Sequence, residues 1–318
     1  MRLLRAELRK LLRPLLYWTA AGVAVMSCLL VAQAHANYVL VHPRSQPLTL
    51  ELRVPTCAEL HLPIGSRCAE AQESAREANE RSNREALMTS RLVRVGQQPL
   101  GVGWFASGLL ASLVGAGALL LLAAGHVGGE WSGKTVKCLL VQDGRRGRLL
   151  LAKVESLWLA GCALLITTWA VLALAAPYFA ARYGNPTVRV PVSFGAATAL
   201  AQTARALLVL ATFAVLGVAA AVLTRNTLGT FFLGLGVVVL SLLLGQFAVT
   251  ARWTLAYWIT GWMGFSHDEN IPGSLWSVRL PAGVPPPTTS FGLVALLMFS
   301  SAAAAVAWLA SRRSDVTA

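Results

Sequence analysis

Six apolar stretches, each long enough to cross a lipid bilayer, constrain this chain more than any other feature of its sequence. A membrane-spanning helix needs about 20 predominantly apolar residues, because it rises about 1.5 Å per residue through a hydrocarbon core of about 30 Å. The sequence therefore predicts an all-α integral membrane protein with six transmembrane helices, built as a single transmembrane domain over residues 1–318. The six stretches cover residues 15–36, 101–125, 152–176, 196–223, 228–250 and 289–311.

The charge composition agrees with a lipid environment. Charged residues make up 13% of the chain, whereas a soluble domain carries roughly 25%. A formal net charge of +13 would suggest nucleic-acid binding in a soluble protein. Here the basic residues cluster beside the ends of the apolar stretches, which is typical of a membrane protein. We therefore expect a lipid bilayer as the partner and no nucleic acid.

The first apolar stretch has two interpretations. Its basic start, its apolar core and the triplet Ala34-His35-Ala36 resemble a secretory signal peptide with an A-x-A cleavage site. The apolar core is longer than the 7–15 residues usual in a signal peptide, and a patterned helix precedes it. We expect a retained first transmembrane helix.

Lysine and arginine are distributed unevenly between the two sides of the predicted membrane domain. One side holds fourteen of them against four acids, whereas the first loop on the other side holds eight arginines against seven glutamates. The positive-inside rule then places both termini in the cytoplasm of a multi-pass protein of the cell membrane. The fourteen are Arg2, Arg5, Arg9, Lys10, Arg13, Lys134, Lys137, Arg145, Arg146, Arg148, Lys153, Arg225, Arg312 and Arg313.

Two segments are predicted outside the cytoplasm. The first is a loop over residues 37–100, whose polar run from Ser66 to about Val95 predicts a solvated helix. Cys57 and Cys68 lie in this loop, and in an oxidising compartment they would form a disulfide. The second, residues 251–288, is rich in Trp and Tyr, which prefer the membrane interface. It predicts short interfacial helices or a re-entrant hairpin.

The N-terminal residues 1–14 form an amphipathic pattern. At 100° per residue, the arginines at positions 2, 5, 9 and 13 fall within an arc of about 80°, and leucines fall opposite. Such a helix lies in the cytoplasmic leaflet and presents its arginines to anionic headgroups or to a partner. Pro14 marks the bend into the first span.

Residues 128–135 match the phosphate-loop pattern G-x-x-x-x-G-K-[ST] in full. A functional phosphate loop follows a β-strand, so that its backbone N–H groups converge on the phosphates. Here the preceding residues end an apolar span, and Glu130 would add negative charge beside the phosphates. We expect no nucleotide at this position and no cofactor on this chain.

The same region has a different interpretation, as a cytoplasmic coupling segment over residues 126–151. From Glu130 to about Val141 the chain can form a short amphipathic helix, which Asp143-Gly144 would end. A charged helical elbow between the second and third spans is a docking surface for a soluble partner.

The elbow and its surroundings resemble the permease subunits of ABC-2 type exporters. Glu130 follows the second span, Thr135 comes five residues later, and a leucine pair, a basic pair and Lys153 complete the pattern. Lys134 stands where the family has glycine. The resemblance implies a dimer with a second permease copy or paralogue, and two separate ATPase subunits that bind ATP and Mg²⁺. The residues expected to couple to the ATPase are Arg5, Arg9, Glu130, Lys134, Thr135, Lys137, Arg145 and Arg146.

The expected function is therefore a non-catalytic, membrane-spanning permease subunit that exports a hydrophobic or amphipathic substrate. The alternative is a membrane sensor or immunity protein that recognises a ligand through its outer loop. Glu155 and Arg205 are ionisable residues in or near spans and are further candidates, although snorkelling to water also explains them. His267-Asp268-Glu269 is interpreted as a solvated loop, so no metal site and no catalytic residue are predicted.

Overall fold

The computed structural model describes residues 2–11, 14–41, 56–57, 59, 65–133, 146–184, 191–264, 284–285 and 287–313. Several predicted features lie outside the described residues. They are Lys134, Thr135, Lys137, Arg145, the remainder of the coupling segment up to position 145, Trp276 and His267-Asp268-Glu269.

Within the described ranges, every regular element is helical. A π-helical turn covers Ala124–Gly128, and a 3-10 turn covers Ala251–Trp253. The helices are α1 (Arg2–Leu11), α2 (Pro14–Val41), α3 (Ser66–Val95), α4 (Gly103–Leu110), α5 (Leu113–Ala123), α6 (Gly129–Ser132), α7 (Arg146–Tyr183), α8 (Val192–Thr224), α9 (Thr227–Leu244), α10 (Leu255–Met263) and α11 (Thr289–Arg313).

Among the described residues, six helical segments are long and apolar enough to cross a membrane, which confirms the predicted all-α membrane fold. Each overlaps one of the six predicted stretches. Pro14 occupies the first turn of α2, where its missing N–H and fixed φ suit a helix start. The six segments are Pro14–Gln33, Leu113–Ser132, Gly147–Tyr183, Gly195–Thr224, Thr227–Leu244 and Thr289–Arg312.

The second predicted stretch, 101–125, is wrong as one continuous helix. The chain breaks after α4, where Ser112 adopts an extended conformation (φ −106°, ψ −171°) and its side chain accepts the backbone N–H of Val114. All eight residues of α4 are buried. The spanning segment therefore begins at Leu113 and continues through the π-helical turn to Ser132, which places Glu130 in its last turn.

Helix α8 lies at the centre of the bundle. It packs against α4, α5, α7, α9 and α11, and Phe213 and Leu210 at its middle are fully buried. Helices α1 and α2 both pack against α7. The N-terminal helix is therefore part of the bundle's packing and not a free segment.

The bundle has two distinct ends. At one end, which we call the α1 end, α6 meets the turn between α8 and α9: Ser132 Oγ accepts the Thr227 N–H at 3.2 Å, and the Arg225 guanidinium lies 5.7 Å from the Trp131 ring. Helix α11 also ends there. Its start lies beside α10 at the other end, where Tyr257 Oη donates to the Pro285 carbonyl at 2.8 Å, and its middle contacts α8 through Ser300 Oγ and Thr212 Oγ1 at 3.0 Å. The long helix α3 and α10 lie towards the opposite end, which we call the α3 end.

Candidate functional site

Helix α1 presents an acidic side chain to the bundle. Glu7 is the buried member of this basic helix, with 1% of its side chain exposed, whereas Arg5 and Arg9 are exposed. Lys10, three residues after Glu7, lies on the same side of the helix and is partly buried. The face that meets α7 is therefore a Glu–Lys pair flanked by leucines.

Four charged side chains from three helices form a closed ring at the α1 end. Lys10 Nζ lies 3.0 Å from Glu7 Oε1 and 2.9 Å from Glu130 Oε1. Lys153 Nζ lies 3.1 Å from Glu7 Oε2 and 2.5 Å from Glu130 Oε2. Acid and base alternate around the ring, so that every carboxylate oxygen has an ammonium partner and the four formal charges cancel.

His126 and Ser156 extend the ring into the bundle. His126 Nε2 lies 3.0 Å from Glu7 Oε2, so with its proton on Nε2 the imidazole donates to the carboxylate. Ser156 Oγ lies 3.5 Å from the same nitrogen and donates to the Lys153 carbonyl at 2.9 Å. His126 belongs to the π-helical turn, a deviation that occurs frequently at functional sites.

The charges of the ring stabilise one another. Burial alone would raise the pKa of Glu7, but the His126 hydrogen bond, the Lys153 charge and the Lys10 hydrogen bond outweigh it and hold that pKa well below the usual range. Burial likewise would lower the pKa of Lys10, and its bonds to Glu130 and Glu7 raise it instead. Both groups are therefore ionised at neutral pH.

The ring can join helices, and its chemistry does not suit a metal ion. Two ammonium groups occupy the positions between the carboxylates where a cation would have to bind. Within the described ranges, no group of three or more His, Cys, Asp or Glu side chains is placed to hold a metal. The arrangement instead fastens α1 to the end of the second span and to the start of the third.

The structure brings together only part of the predicted coupling set. Glu130 is in the ring, Arg5 and Arg9 lie on the exposed side of α1, and Arg146 is the first residue of α7. The family resemblance made Glu130 a candidate for contact with the ATPase subunit. The structure pairs Glu130 with Lys10 and Lys153 of its own chain.

Sequence reasoning missed Glu7, Lys10 and His126 as site residues. The signal was present in α1: Glu7 is the one acid in a run with five basic residues, and it sits beside the leucine arc. Lys153 carried a second signal, because a lysine among the apolar residues that start a span needs a partner. Neither signal identifies which acid and which base meet.

The described part of the phosphate-loop match is helical. Gly129–Ser132 forms α6, and the Gly133 N–H bonds the Gly129 carbonyl at 2.9 Å. Backbone N–H groups that are committed to helical bonds cannot converge on a phosphate. This geometry differs from the strand-loop-helix form that such a site requires.

The remaining candidates lie elsewhere. Glu155 is half-buried on α7, and Arg205 on α8 bonds the Met263 carbonyl near the α3 end. The structure joins Cys57 and Cys68 by a disulfide with Cα atoms 5.7 Å apart, at the start of α3.

Comparison with known proteins finds no matching family model, no matching curated protein and no matching solved structure. What the chain does must be inferred from its own residues.

Proposed function

We propose that this chain is the membrane-spanning permease subunit of an ATP-driven exporter of the ABC-2 type. In this role it couples ATP hydrolysis by a separate ATPase subunit to the export of a hydrophobic or amphipathic substrate. The observation that carries the proposal is the buried ring, because it ties an N-terminal basic helix to both ends of the elbow. The elbow and that helix are the two segments that the family resemblance assigns to ATPase contact.

The ring suggests how force would pass into the bundle. Glu7 and Lys10 belong to α1, Glu130 to the end of the second span and Lys153 to the start of the third. Because each carboxylate bonds two lysines from different segments, α1 cannot move without both spans. Closure of the ATPase subunits against the exposed face of α1, with Arg5 and Arg9, would then tilt the second and third spans together.

Orientation and partners follow from the same proposal. The α1 end faces the cytoplasm and meets the ATPase, and the α3 end faces the outside. The protein resides in the cell membrane with both termini cytoplasmic. A second permease copy or paralogue completes the pathway, and ATP and Mg²⁺ bind on the ATPase subunits.

Mild purification from the native membrane tests the proposal. The expected result is near-stoichiometric recovery of an ATPase subunit that carries a phosphate loop, identified by mass spectrometry, with ATP hydrolysis by the complex. The double variant Arg5→Glu and Arg9→Glu should release that subunit while the ring and the fold persist. Recovery of the chain without an ATPase from a membrane that contains its natural partners contradicts the proposal.

A second candidate is a membrane sensor or immunity protein that recognises a ligand outside the cell. The observation that favours it is α3, a 30-residue helix with exposed Arg67, Glu73 and Glu77, held at its start by the disulfide. The same purification separates the two candidates, because a sensor would be recovered without an ATP-hydrolysing subunit.

A further inference from the structure

Arg205 is a charged residue within the central span, at a depth where lipid headgroups begin. It lies nineteen residues before Thr224, the α1-end terminus of α8, which corresponds to about 28 Å along a helix. A hydrocarbon core is about 30 Å thick, so Arg205 lies at the far boundary of that core. Trp262 Nε1 donates to the Arg205 carbonyl at 2.8 Å, and tryptophan favours the same boundary.

One nitrogen of the Arg205 guanidinium is held by a backbone carbonyl. Arg205 Nη1 donates to the Met263 carbonyl at 3.0 Å, and Gln202 Nε2 donates to the same carbonyl at 2.8 Å. Gly264 follows with φ +66°, and a Cβ there would lie 2.7 Å from Nη1, so glycine leaves room for the arginine. These contacts orient the side chain against the end of α10.

Arg205 and Gln202 both have side-chain atoms that could form further hydrogen bonds and that have no partner within the described part of the chain. A guanidinium has five N–H donors in a planar fork, and the structure commits one to Met263. No carboxylate among the described residues lies within ion-pair distance of Arg205. Gln202 is 8% exposed, and its Oε1 is a buried acceptor without a donor among those residues.

We infer that Arg205 and Gln202 form a binding subsite for the headgroup of an anionic phospholipid whose phosphate ester carries a free hydroxyl. The fork of the guanidinium matches two phosphate oxygens. Gln202 Oε1 accepts a hydroxyl of the same headgroup, which satisfies its buried lone pairs. A helix-capping role alone explains the Met263 contact but leaves this acceptor unsatisfied.

The subsite does not depend on the chain being an exporter. A resident bilayer lipid and a transported lipid present the same headgroup chemistry at this boundary. The site therefore identifies the ligand class, and a separate measurement identifies its source.

Lipid-dependent thermal stabilisation of the full chain tests the inference. The purified protein in mixed micelles of detergent and phosphatidylcholine is titrated with phosphatidylglycerol. The shift in Tm is recorded, and bound lipid is identified by native mass spectrometry. A ligand that binds the native state stabilises it by RT ln(1 + [L]/Kd), so the Tm rises with ligand concentration and rises more for a tighter ligand. Arg205→Gln should weaken phosphatidylglycerol binding about tenfold or more, as expected for a lost charge-assisted bond. Arg205→Lys should lose less of the affinity for phosphatidylglycerol, because lysine keeps the positive charge but lacks the planar guanidinium that bonds two phosphate oxygens.

Two comparisons separate headgroup binding from structural effects. Arg182→Gln, which removes an exposed arginine at the α3 end, should keep the wild-type response. Gln202→Leu should abolish the preference for phosphatidylglycerol over phosphatidic acid, whose phosphate carries no glycerol hydroxyl. The inference is overturned if Arg205→Gln lowers Tm equally in both lipids while the phosphatidylglycerol-dependent shift stays at its wild-type size. It is also overturned if Arg182→Gln loses the response to the same extent.

Leaflet transfer of fluorescent phosphatidylglycerol in proteoliposomes that hold the native complex distinguishes the two sources. Transfer that Arg205→Gln abolishes identifies a cargo lipid. Stable one-to-one co-purification without transfer identifies a resident lipid. Both results support the subsite.

Discussion

Loss of the Lys153 side chain should destabilise the fold. Its side chain is 3% exposed and bonds both Glu7 and Glu130. Removing one partner of a buried ion pair leaves an uncompensated charge and costs about 3–5 kcal/mol. We expect Lys153→Met to lower the free energy of unfolding by that amount, measured by denaturant titration in detergent. Arg76→Gln breaks an exposed pair with Glu80 and should change stability by less than about 1 kcal/mol.

A double variant separates loss of charge balance from loss of packing. Glu7→Gln together with Lys153→Met removes one acid and one base, so that Lys10 and Glu130 remain as a neutral pair. It should recover part of the stability that Lys153→Met loses. If the double variant is less stable than the sum of the single variants predicts, the ring is not held by charge balance.

The Glu7 carboxylate predicts how the docking of α1 depends on pH. Because the folded-state pKa is held low, the unfolded chain binds the proton more readily, at its ordinary pKa of about 4.3. This contribution to stability is complete above that value and is lost progressively as the pH falls towards the folded-state pKa. Hydrogen exchange should therefore show α1 protected at pH 7 and increasingly exposed below about pH 4.

Glu7→Gln is the control for that pH dependence. The variant should have a less stable α1 at neutral pH and little further loss in acid, because its side chain does not titrate. If α1 of the variant loses protection over the same acidic range as the wild type, another group controls its docking.

At the scale of helices, the sequence predicts those elements whose boundaries coincide with changes in polarity. The polar run from Ser66 to about Val95 became α3 with those bounds, because Gly65 precedes it and Gly96 follows it. The spans other than the second were located within several residues for the same reason. Helix α4 was missed because Ala111-Ser112 interrupts the helix inside an apolar run, where hydropathy does not change.

The ring could be predicted only in part. The pattern of α1 shows Arg and Leu on opposite arcs, and Glu7 and Lys10 fall on the strip between them. That strip becomes the buried face because it meets Lys153 and Glu130, which are distant in sequence. Periodicity describes one helix at a time, so it cannot identify a contact among three of them.

The disulfide makes a prediction for the start of α3. Cys57 and Cys68 are 11 residues apart in sequence, and closing such a loop restricts the unfolded chain by about 2–3 kcal/mol. Non-reducing peptide mapping of protein from the native membrane should recover the linked pair. Reduction should increase exchange of the first turns of α3 and leave α8 protected. Recovery of both cysteines as free thiols would count against the bond and against an oxidising compartment.

At the scale of the whole molecule, the ends of the bundle predict its topology. The α1 end gathers α1, Glu130, Arg225 and the end of α11, so these elements must share one side of the membrane. In a cysteine-free background, a cysteine at position 76 should react with an impermeant reagent from outside. A cysteine at position 137 should react only after permeabilisation. The reverse pattern would invert the orientation and place α3 in the cytoplasm.

The last prediction concerns coupling across the molecule, and it rests on the proposed function. Glu130 is 12% exposed and joins Lys10 of α1 to Lys153 of the third span. Glu130→Gln keeps the size of the side chain but removes its charge, so the two lysines lose a shared anion. A charge-assisted hydrogen bond is worth about 1.5–3 kcal/mol. Transport and substrate-stimulated ATP hydrolysis should therefore fall together by about tenfold or more.

Membrane insertion and substrate binding should survive in Glu130→Gln, because the residue lies at the α1 end and Glu7 still holds both lysines. Glu77→Gln on the exposed surface of α3 is the matched control, and it should leave transport almost unchanged. Normal transport by Glu130→Gln would mean that the ring stabilises the bundle without transmitting movement. The N-terminal helix would then be an anchor, and the proposal of an ATP-coupled exporter would lose the observation that carries it.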